Sequence, residues 1–277
     1  MLLTTEQKEF FNTNGFLVLD NFFTTEEIDD YKKSLRDLIQ IQLKKASKIN
    51  TEINPVDFIG KEFDEGMIKL EEVDHVYVAN LYDMISQMSS FLRIPAKSET
   101  TQCINQLFDR EINSPLYIDT SRCRIDPPNE TKRLCGWHQE VFYYTPRSDF
   151  IQTWAPLVRN STVENGTIEV CIGSHKEGFA TQNGMIHEDV HYKYIVNDDI
   201  VKKYPMKRLE MNLGQLLIFS SKLIHKSGFN TSNNVRYSLV GIYHNLDNEE
   251  FIPPKWVVQN RGENNSSYYD EIFKHKK

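Results

Sequence analysis

Residues Thr167–Ile172 read TIEVCI and lie between the turn signals Asn165-Gly166 and Gly173-Ser174. The apolar side chains of this stretch alternate with polar or small ones, and a period of two places them on one face of a β-strand. The same alternation recurs in Leu216–Phe219 and in Tyr237–His244, again after turn signals. The second half of the chain is therefore predicted to consist of short antiparallel strands.

The first half of the chain follows a helical pattern instead. Thr4 with Gln7, and again Thr24 with Glu27, have the spacing of capping boxes, which begin helices. After the second box, apolar side chains recur every three or four residues, at Ile28, Tyr31, Leu35 and Leu38. The same spacing predicts a further helix between residues 75 and 92.

Helices followed by many short strands predict an α+β fold. A helical N-terminal part, about residues 1–110, is expected to pack on a double-stranded β-helix of the jelly-roll or cupin type, about residues 115–246. No internal repeat, low-complexity tract or Pro/Gly linker divides the sequence. Residues 1–277 are therefore predicted to form a single domain.

The composition and charge of the chain limit the classes of molecule that it is expected to bind. A formal net charge of -7 argues against a nucleic-acid-binding surface and gives no electrostatic attraction to anionic membranes. The four cysteines lack Cys-x-x-Cys spacing, which argues against a zinc knuckle or a redox pair. Neither a signal peptide nor a membrane-spanning apolar run is visible. We expect a cytoplasmic protein with a small-molecule substrate, and the sequence leaves its oligomeric state open.

The sharpest local motif is Trp137–Glu140 (WHQE). In a strand, His138 and Glu140 would project side by side, one offering an imidazole nitrogen and the other a carboxylate oxygen. A third ligand from a distant strand would complete a set of two histidines and one carboxylate, which leaves positions open on iron(II). Taken alone, His-x-Glu is more typical of surface or hydrogen-bonded residues.

A second motif supplies that third ligand. His225 follows the predicted core strand Leu216–Phe219, and Arg236 comes eleven residues later, after a Gly/Asn-rich turn. A hairpin of this length would return Arg236 to the neighbourhood of His225. Its guanidinium could then bind the far carboxylate of a dicarboxylate through paired hydrogen bonds, with the Ser227 hydroxyl assisting.

This block resembles the phytanoyl-CoA dioxygenase family, whose pattern is His-x-Ser-x-x-Asn-x-Ser with an arginine eleven residues after the histidine. The matching residues are His225, Ser227, Asn230, Ser232 and Arg236. Other elements of the family follow in the expected order between Phe10 and Tyr243: the opening Gly15–Phe23, the WHQE motif, Trp154, Asn165-Gly166 and the segment Gly173–Gly178.

The resemblance implies an iron(II)- and 2-oxoglutarate-dependent oxygenase that hydroxylates an unactivated C–H bond of a small metabolite or of an acyl or sugar conjugate. Iron(II), 2-oxoglutarate and dioxygen are the implied cofactor and co-substrates. The implied iron ligands are His138, Glu140 and His225. The implied 2-oxoglutarate contacts are Arg236, Ser227, Trp154 and, as the weakest inference, Gln139.

One residue departs from the family pattern. The first ligand motif of the family usually carries aspartate where this sequence has Glu140. Glutamate also serves as a ligand in related oxygenases, whereas halogenating relatives lack the carboxylate so that chloride takes its place. Glu140 therefore indicates hydroxylation or desaturation rather than halogenation.

Two alternatives stay open at this point. His187–His191 (HEDVH) matches the zinc-protease pattern His-Glu-x-x-His, which requires both histidines on one face of a helix. The neighbouring Asn183-Gly184 turn argues against a helix there. A non-catalytic binding module on the same barrel is the other alternative.

Two charged groups also remain undecided. Arg124 and Asp126 are predicted to lie on a strand, either facing the barrel interior or forming an exposed ion pair. A basic group, Lys202, Lys203, Lys207 and Arg208, is either solvated surface or a contact for an anionic substrate. The segment from Glu177 to Arg208 is expected to select the substrate.

Overall fold

The computed structural model describes residues 1–53, 63–119, 121–131, 134–142, 149–180, 182–188, 191–249 and 251. Its helices are α1 (Thr5–Asn14), α2 (Thr25–Ser47), α3 (Asp64–Val73), α4 (His75–Ile85), α5 (Ser89–Arg93), α6 (Ser98–Leu107) and α7 (Asp198–Val201). Its strands are β1 (Phe16–Leu19), β2 (Leu116–Ile118), β3 (Arg122–Asp126), β4 (Phe150–Pro156), β5 (Ile168–Cys171), β6 (Gln182–Glu188), β7 (His191–Val196), β8 (Met206–Arg208), β9 (Leu216–Ser220), β10 (His225–Ser227) and β11 (Arg236–Asn245).

The helical first part begins as predicted. Both capping boxes are formed, because the hydroxyls of Thr4 and Thr24 accept backbone hydrogen bonds at the starts of α1 and α2. The helix predicted within residues 75–92 is present as α4, which ends at Ile85, and the short helix α5 begins at Ser89. Where α4 ends, the Ser86 hydroxyl accepts a hydrogen bond from the backbone N–H of Cys123 and so ties the helix to β3. Within the described ranges, no helix is long and apolar enough to cross a bilayer.

The strands form two antiparallel sheets and a hairpin. The major sheet has the order β1-β9-β4-β11-β2, with β3 also pairing with β11. The minor sheet has the order β10-β5-β8, and β6 pairs with β7. This agrees with the predicted jelly-roll architecture but corrects one part of it. Among the described strands no ladder joins the major to the minor sheet, so the barrel is not closed.

The two faces of the major sheet bury different cores. Its outer face packs on the helices through residues such as Ile125, Tyr237 and Leu239. Its inner face meets Ile168 and Val170 of the minor sheet, with the major sheet contributing Phe16, Trp154, Leu217 and Phe219. The space between the two sheets is therefore lined mainly by large apolar side chains, which exclude water from most of it.

Strand β3 shows the same division. Cys123 and Ile125 belong to the outer core, and the Tyr31 hydroxyl lies 2.9 Å from Cys123 Sγ. Side chains alternate along a strand, so Arg122, Arg124 and Asp126 lie on the inner face. The structure thus settles the sequence alternative for Arg124 and Asp126: they face the interior and pair with each other, with Arg124 Nε 2.8 Å from Asp126 Oδ1.

The hairpin predicted between His225 and Arg236 is wrong. Strand β10 belongs to the minor sheet and β11 to the major sheet, so residues 228–235 cross from one sheet to the other. Asn230 anchors the crossing, because its side-chain amide donates to the carbonyl oxygens of Asp126 at 3.0 Å and Asn234 at 2.8 Å. Arg236 therefore enters the interior from the sheet opposite His225.

The stability of this fold is expected to fall in mild acid through His244. Burial among the rings of Tyr117, Phe150 and Phe251 lowers the pKa of His244 to about 4, against about 6.5 in an unfolded chain. Between these values only the unfolded chain binds the proton. The free energy of unfolding should therefore keep its full value above pH about 6.5 and fall by about 1–2 kcal/mol when the pH is lowered to about 5.

Urea unfolding at pH 7 and pH 5 measures this effect. His244→Phe, which cannot titrate, should lose less stability over that interval than the wild type. His75→Phe, at an exposed histidine, should behave as the wild type does. An equal loss in His244→Phe would assign the acid sensitivity to other groups.

Candidate metal centre

Three side chains with metal-binding atoms converge between the sheets. The candidate ligand atoms of His138, Glu140 and His225 all lie within 4.8 Å of one another. Glu140 Oε2 is 3.5 Å from His138 Nε2 and 3.9 Å from His225 Nε2. The two imidazole rings are 4.3 Å apart between centroids. Both histidines are buried and Glu140 is half-buried, so these atoms surround one small space.

The backbone places the two histidines directly opposite each other. His138 and His225 form an isolated antiparallel bridge in which each N–H donates to the other's carbonyl oxygen at 3.0 Å. The Nδ1 atom of His138 lies 2.9 Å from the Gly136 carbonyl oxygen, and that of His225 lies 2.9 Å from the Leu223 carbonyl oxygen. These contacts place a proton on each Nδ1, so each Nε2 can bind a metal once it carries no proton itself.

Glu140 reaches the same space by a different route from the one expected. The prediction that residues 137–140 form a strand is wrong, because Glu140 begins a 3-10 turn, Glu140–Phe142. The Val141 N–H donates to the Ser221 carbonyl oxygen at 3.2 Å, which fixes this turn against the end of β9. The turn, rather than strand alternation, brings the carboxylate between the imidazoles.

The electrostatics of the three residues are coupled. Burial favours the neutral form of His138, but contact with Cys135 and Glu140 outweighs it and raises the pKa of His138 to about 10. Burial and the neighbouring His138 lower the pKa of His225 to about 3. Without a metal, the cluster therefore keeps a proton between His138 and Glu140. A bound dication would displace that proton, since metal ligands must be deprotonated.

The Gln139 side chain points away from the three metal-binding side chains and forms hydrogen bonds with main-chain groups. Its Nε2 donates to the carbonyl oxygens of Gly178 at 2.9 Å and Lys222 at 2.6 Å, and its Oε1 accepts from the Ala180 N–H at 2.9 Å. The side chain is fully buried. The Gln139 side chain thus holds main-chain segments together next to His138 and Glu140. The structure does not bring it together with the predicted 2-oxoglutarate contacts.

Gln139→Ala is expected to lower the free energy of unfolding by about 2–3 kcal/mol, because three buried main-chain groups lose their partner. Gln139→Glu should be destabilising as well, since a carboxylate cannot donate to the two carbonyl oxygens. Thermal unfolding measures both changes. Gln87→Ala, at an exposed glutamine, serves as the control. Unchanged melting of both Gln139 variants would contradict this role.

Arg236 lies buried on the inner face of the major sheet. Its Nη2 is 2.8 Å from Asp126 Oδ2, and its Nη1 donates to the Asn165 carbonyl oxygen at 3.4 Å. Among the described residues, its Nε is buried without a hydrogen-bond partner, as is the Ser238 hydroxyl two residues later on the same face. Buried polar groups are normally satisfied, so this part of the interior has the donors for a further anionic ligand.

Gly166 makes room for this arginine. Its φ is +79°, which favours glycine, and a Cβ atom there would lie 2.4 Å from the Gly228 carbonyl oxygen and 2.9 Å from Arg236 Nη1. The Asn-Gly turn and the segment after β10 therefore approach each other closely beneath the guanidinium. This is the physical reason for glycine in the Asn165-Gly166 element.

The remaining predicted contacts lie on the walls of the interior. Trp154 is buried on β4 between Leu217 of β9 and Val240 of β11 in the sheet register. Ser227 is half-buried on β10, two residues after His225, and therefore on the same face of that strand.

Asp126 and Ser238 were not predicted from the sequence as co-substrate residues. The available signal was strand alternation, which places them with Arg236.

The zinc-protease alternative is wrong. His187 lies on β6 and His191 on β7, and the pairing Glu188 with His191 shows that the two histidines belong to opposite strands of a hairpin. The pattern His-Glu-x-x-His requires one continuous helix.

A sequence model of the phytanoyl-CoA dioxygenase family matches residues 11–238, most of the chain. The chain belongs to the phytanoyl-CoA dioxygenase family. The match begins in α1, ends in β11 and includes the two histidines, Glu140 and Arg236.

Named members of the phytanoyl-CoA dioxygenase family resemble the chain over most of its length. The probable phytanoyl-CoA dioxygenase of Caenorhabditis elegans is 23% identical over 252 residues, covering 89% of this chain and 77% of the relative. The phytanoyl-CoA dioxygenase of Arabidopsis thaliana is 22% identical over 266 residues, covering 85% of this chain and 87% of the relative.

Solved structures share the jelly-roll fold. EctD from S. alaskensis, determined with 2-oxoglutarate and 5-hydroxyectoine, gives a TM-score of 0.59 at 16% identity and covers 95% of this chain and 85% of its own. The epimerase SnoN, determined with Fe3+, alpha-ketoglutarate and nogalamycin RO, gives a TM-score of 0.59 at 13% identity. The match covers 94% of this chain and 91% of SnoN.

Proposed function

We propose that this member of the phytanoyl-CoA dioxygenase family is an iron(II)- and 2-oxoglutarate-dependent oxygenase. It hydroxylates an unactivated C–H bond of a small metabolite, or of an acyl or sugar conjugate. The observation that carries the proposal is the convergence of His138, Glu140 and His225 between the sheets. Solved relatives whose names include iron and 2-oxoglutarate support the same chemistry.

The residues present fit iron(II). Two neutral imidazoles and one carboxylate are the donor set of non-haem iron oxygenases, and the set leaves coordination positions for a co-substrate and dioxygen. The Nδ1 contacts to carbonyl oxygens already orient both rings. His138, Glu140 and His225 would hold the metal without any change of tautomer.

The residues also fit 2-oxoglutarate. No residue that the structure describes bonds to the Nε of Arg236 or to the hydroxyl of Ser238, two residues further along β11. Arg236 would bind the distal carboxylate, with Ser227 facing it from the minor sheet. Asp126 holds the guanidinium in place from the other side, at 2.8 Å.

When bound together, iron(II), 2-oxoglutarate and dioxygen supply the oxidising power to hydroxylate a C–H bond, with succinate and carbon dioxide as co-products. The protein's own contribution is positioning and exclusion of water. Phe219 packs edge-on against the His225 ring, with centroids 4.9 Å apart, and Trp154 closes the neighbouring wall. These apolar side chains keep bulk water from the reacting centre.

The direct test is anaerobic visible absorption of metal-free protein that receives iron(II) and then 2-oxoglutarate. We expect a metal-to-ligand charge-transfer band that requires both additions, and formation of succinate once air is admitted. A folded protein that shows neither the band nor succinate would contradict the oxygenase proposal and favour a binding module on the same fold.

A further inference from the structure

Arg122 is a charged residue of the interior that the proposed chemistry does not use. It lies on the inner face of β3, in register with Val240 of β11, which in turn pairs with Trp154 of β4. The neighbouring Cys123 points the other way, into the core beneath the helices. Arg122 therefore stands in the same row of the sheet as the tryptophan that walls the metal centre.

The inner face of β3 changes from buried to half-exposed along its length. Asp126, opposite Arg236, is 7% exposed, and Arg236 itself is 2% exposed. Arg122, at the other end of the strand, is half-buried. Asp126 and Arg236 thus form the floor of the interior, and Arg122 lies towards its open side.

Arg122 differs from the other arginines of this face in its pairing. Arg236 has Asp126 as its carboxylate partner at 2.8 Å. Across the described ranges of the chain, no acidic side chain forms an ion pair with Arg122. A guanidinium that is partly removed from water without a counter-ion costs free energy, so its position favours an anion.

Arg122 lies close enough to the metal centre for its charge to act on the Glu140 carboxylate.

We propose that Arg122 binds an anionic group of the substrate, a carboxylate or a phosphate, at the open side of the metal centre. The inference rests on the proposed function and names the class of its substrate. A planar guanidinium binds such oxyanions with two parallel hydrogen bonds, which would fix one end of the substrate and direct another carbon to the metal.

The position of Arg122 assigns it to the substrate rather than to 2-oxoglutarate. Arg236 pairs with Asp126, and Arg122 lies four residues further along β3, about 13 Å at the rise of a strand. The co-substrate is anchored at the buried floor by Arg236. Arg122 lies at the less buried end of this face of β3, so we assign it to a second anion.

The experiment uses the anaerobic complex of the protein with iron(II) and saturating 2-oxoglutarate. Butanoate, methyl phosphate and the neutral butanamide are titrated in by calorimetry, while the charge-transfer band shows that the complex stays intact. The variants are Arg122→Gln and Arg122→Lys. Arg93→Gln, at a mostly exposed arginine of α5, removes the same charge elsewhere.

We expect at least one anion to bind the wild type and Arg93→Gln, with about tenfold or greater weakening in Arg122→Gln and a smaller loss in Arg122→Lys. Butanamide should not bind. The preferred anion identifies the group as carboxylate or phosphate.

Three results would overturn the inference. The first is failure of both anions to bind the intact wild-type complex. The second is equal binding by Arg122→Gln. The third is a loss of 2-oxoglutarate affinity in Arg122→Gln, which would assign Arg122 to the co-substrate. A wild-type protein without the charge-transfer band would instead contradict the proposed function, and the two failures are thus distinguishable.

Discussion

Replacement of His225 by alanine is expected to abolish stoichiometric iron(II) binding and, with it, succinate formation. The variant keeps only one imidazole and one carboxylate around the site. Loss of a residue that merely orients a ligand typically weakens metal affinity by about 10–100-fold, so loss of the ligand itself should exceed about 100-fold. Equilibrium dialysis with anaerobic iron(II), followed by metal analysis, measures the change.

His138→Ala should give the same result, because the two histidines face each other across one β-bridge. His75→Ala is the matched control, since it removes an exposed histidine that contacts only Glu71 in the described structure. Retention of one iron per chain in both His138→Ala and His225→Ala, with the control unchanged, would show that the metal is held elsewhere.

Replacement of Arg236 by glutamine is expected to weaken 2-oxoglutarate binding by about 100-fold or more, since two charge-assisted hydrogen bonds to its carboxylate are lost. Iron(II) binding should remain close to that of the wild type. Titration of 2-oxoglutarate into the iron-loaded protein, followed by the charge-transfer band, gives the dissociation constant.

The control for Arg236→Gln must account for a broken ion pair. Asp126 loses one of its two arginines, although Arg124 remains 2.8 Å away. Arg110→Gln breaks another arginine–aspartate pair, with Asp247 just after β11, and should leave 2-oxoglutarate binding unchanged. Arg236→Lys keeps the charge without the planar fork and should be intermediate. Wild-type affinity in Arg236→Gln would exclude this residue as the anchor.

Local patterns in the sequence predict much of this molecule. The capping boxes at Thr4 and Thr24 depend on residues three positions apart, and the alternation in Thr167–Ile172 depends on neighbours. The set of His138, Glu140 and His225 was predicted from two short motifs far apart in the chain and from their resemblance to a family pattern. The caps, the alternation and each motif are encoded within a few neighbouring residues.

Long-range pairing was not predictable in the same way. Whether residues 228–235 turn back as a hairpin or cross between sheets depends on Asn230, whose amide holds the distant carbonyl of Asp126. The 3-10 turn at Glu140 depends on Ser221, and the orientation of Gln139 depends on Gly178 and Lys222. Such contacts join residues far apart in the chain, and no local pattern reports them.

The backbone bridge between His138 and His225 has a mechanical consequence. A metal ion on both rings would act as a removable crosslink across the long loop of chain between them, in addition to two backbone hydrogen bonds. Any ligand that binds only the folded state stabilises it in proportion to the logarithm of its concentration. Iron-depleted protein should therefore be easier to melt and to digest, and heat resistance would report how much metal the protein carries.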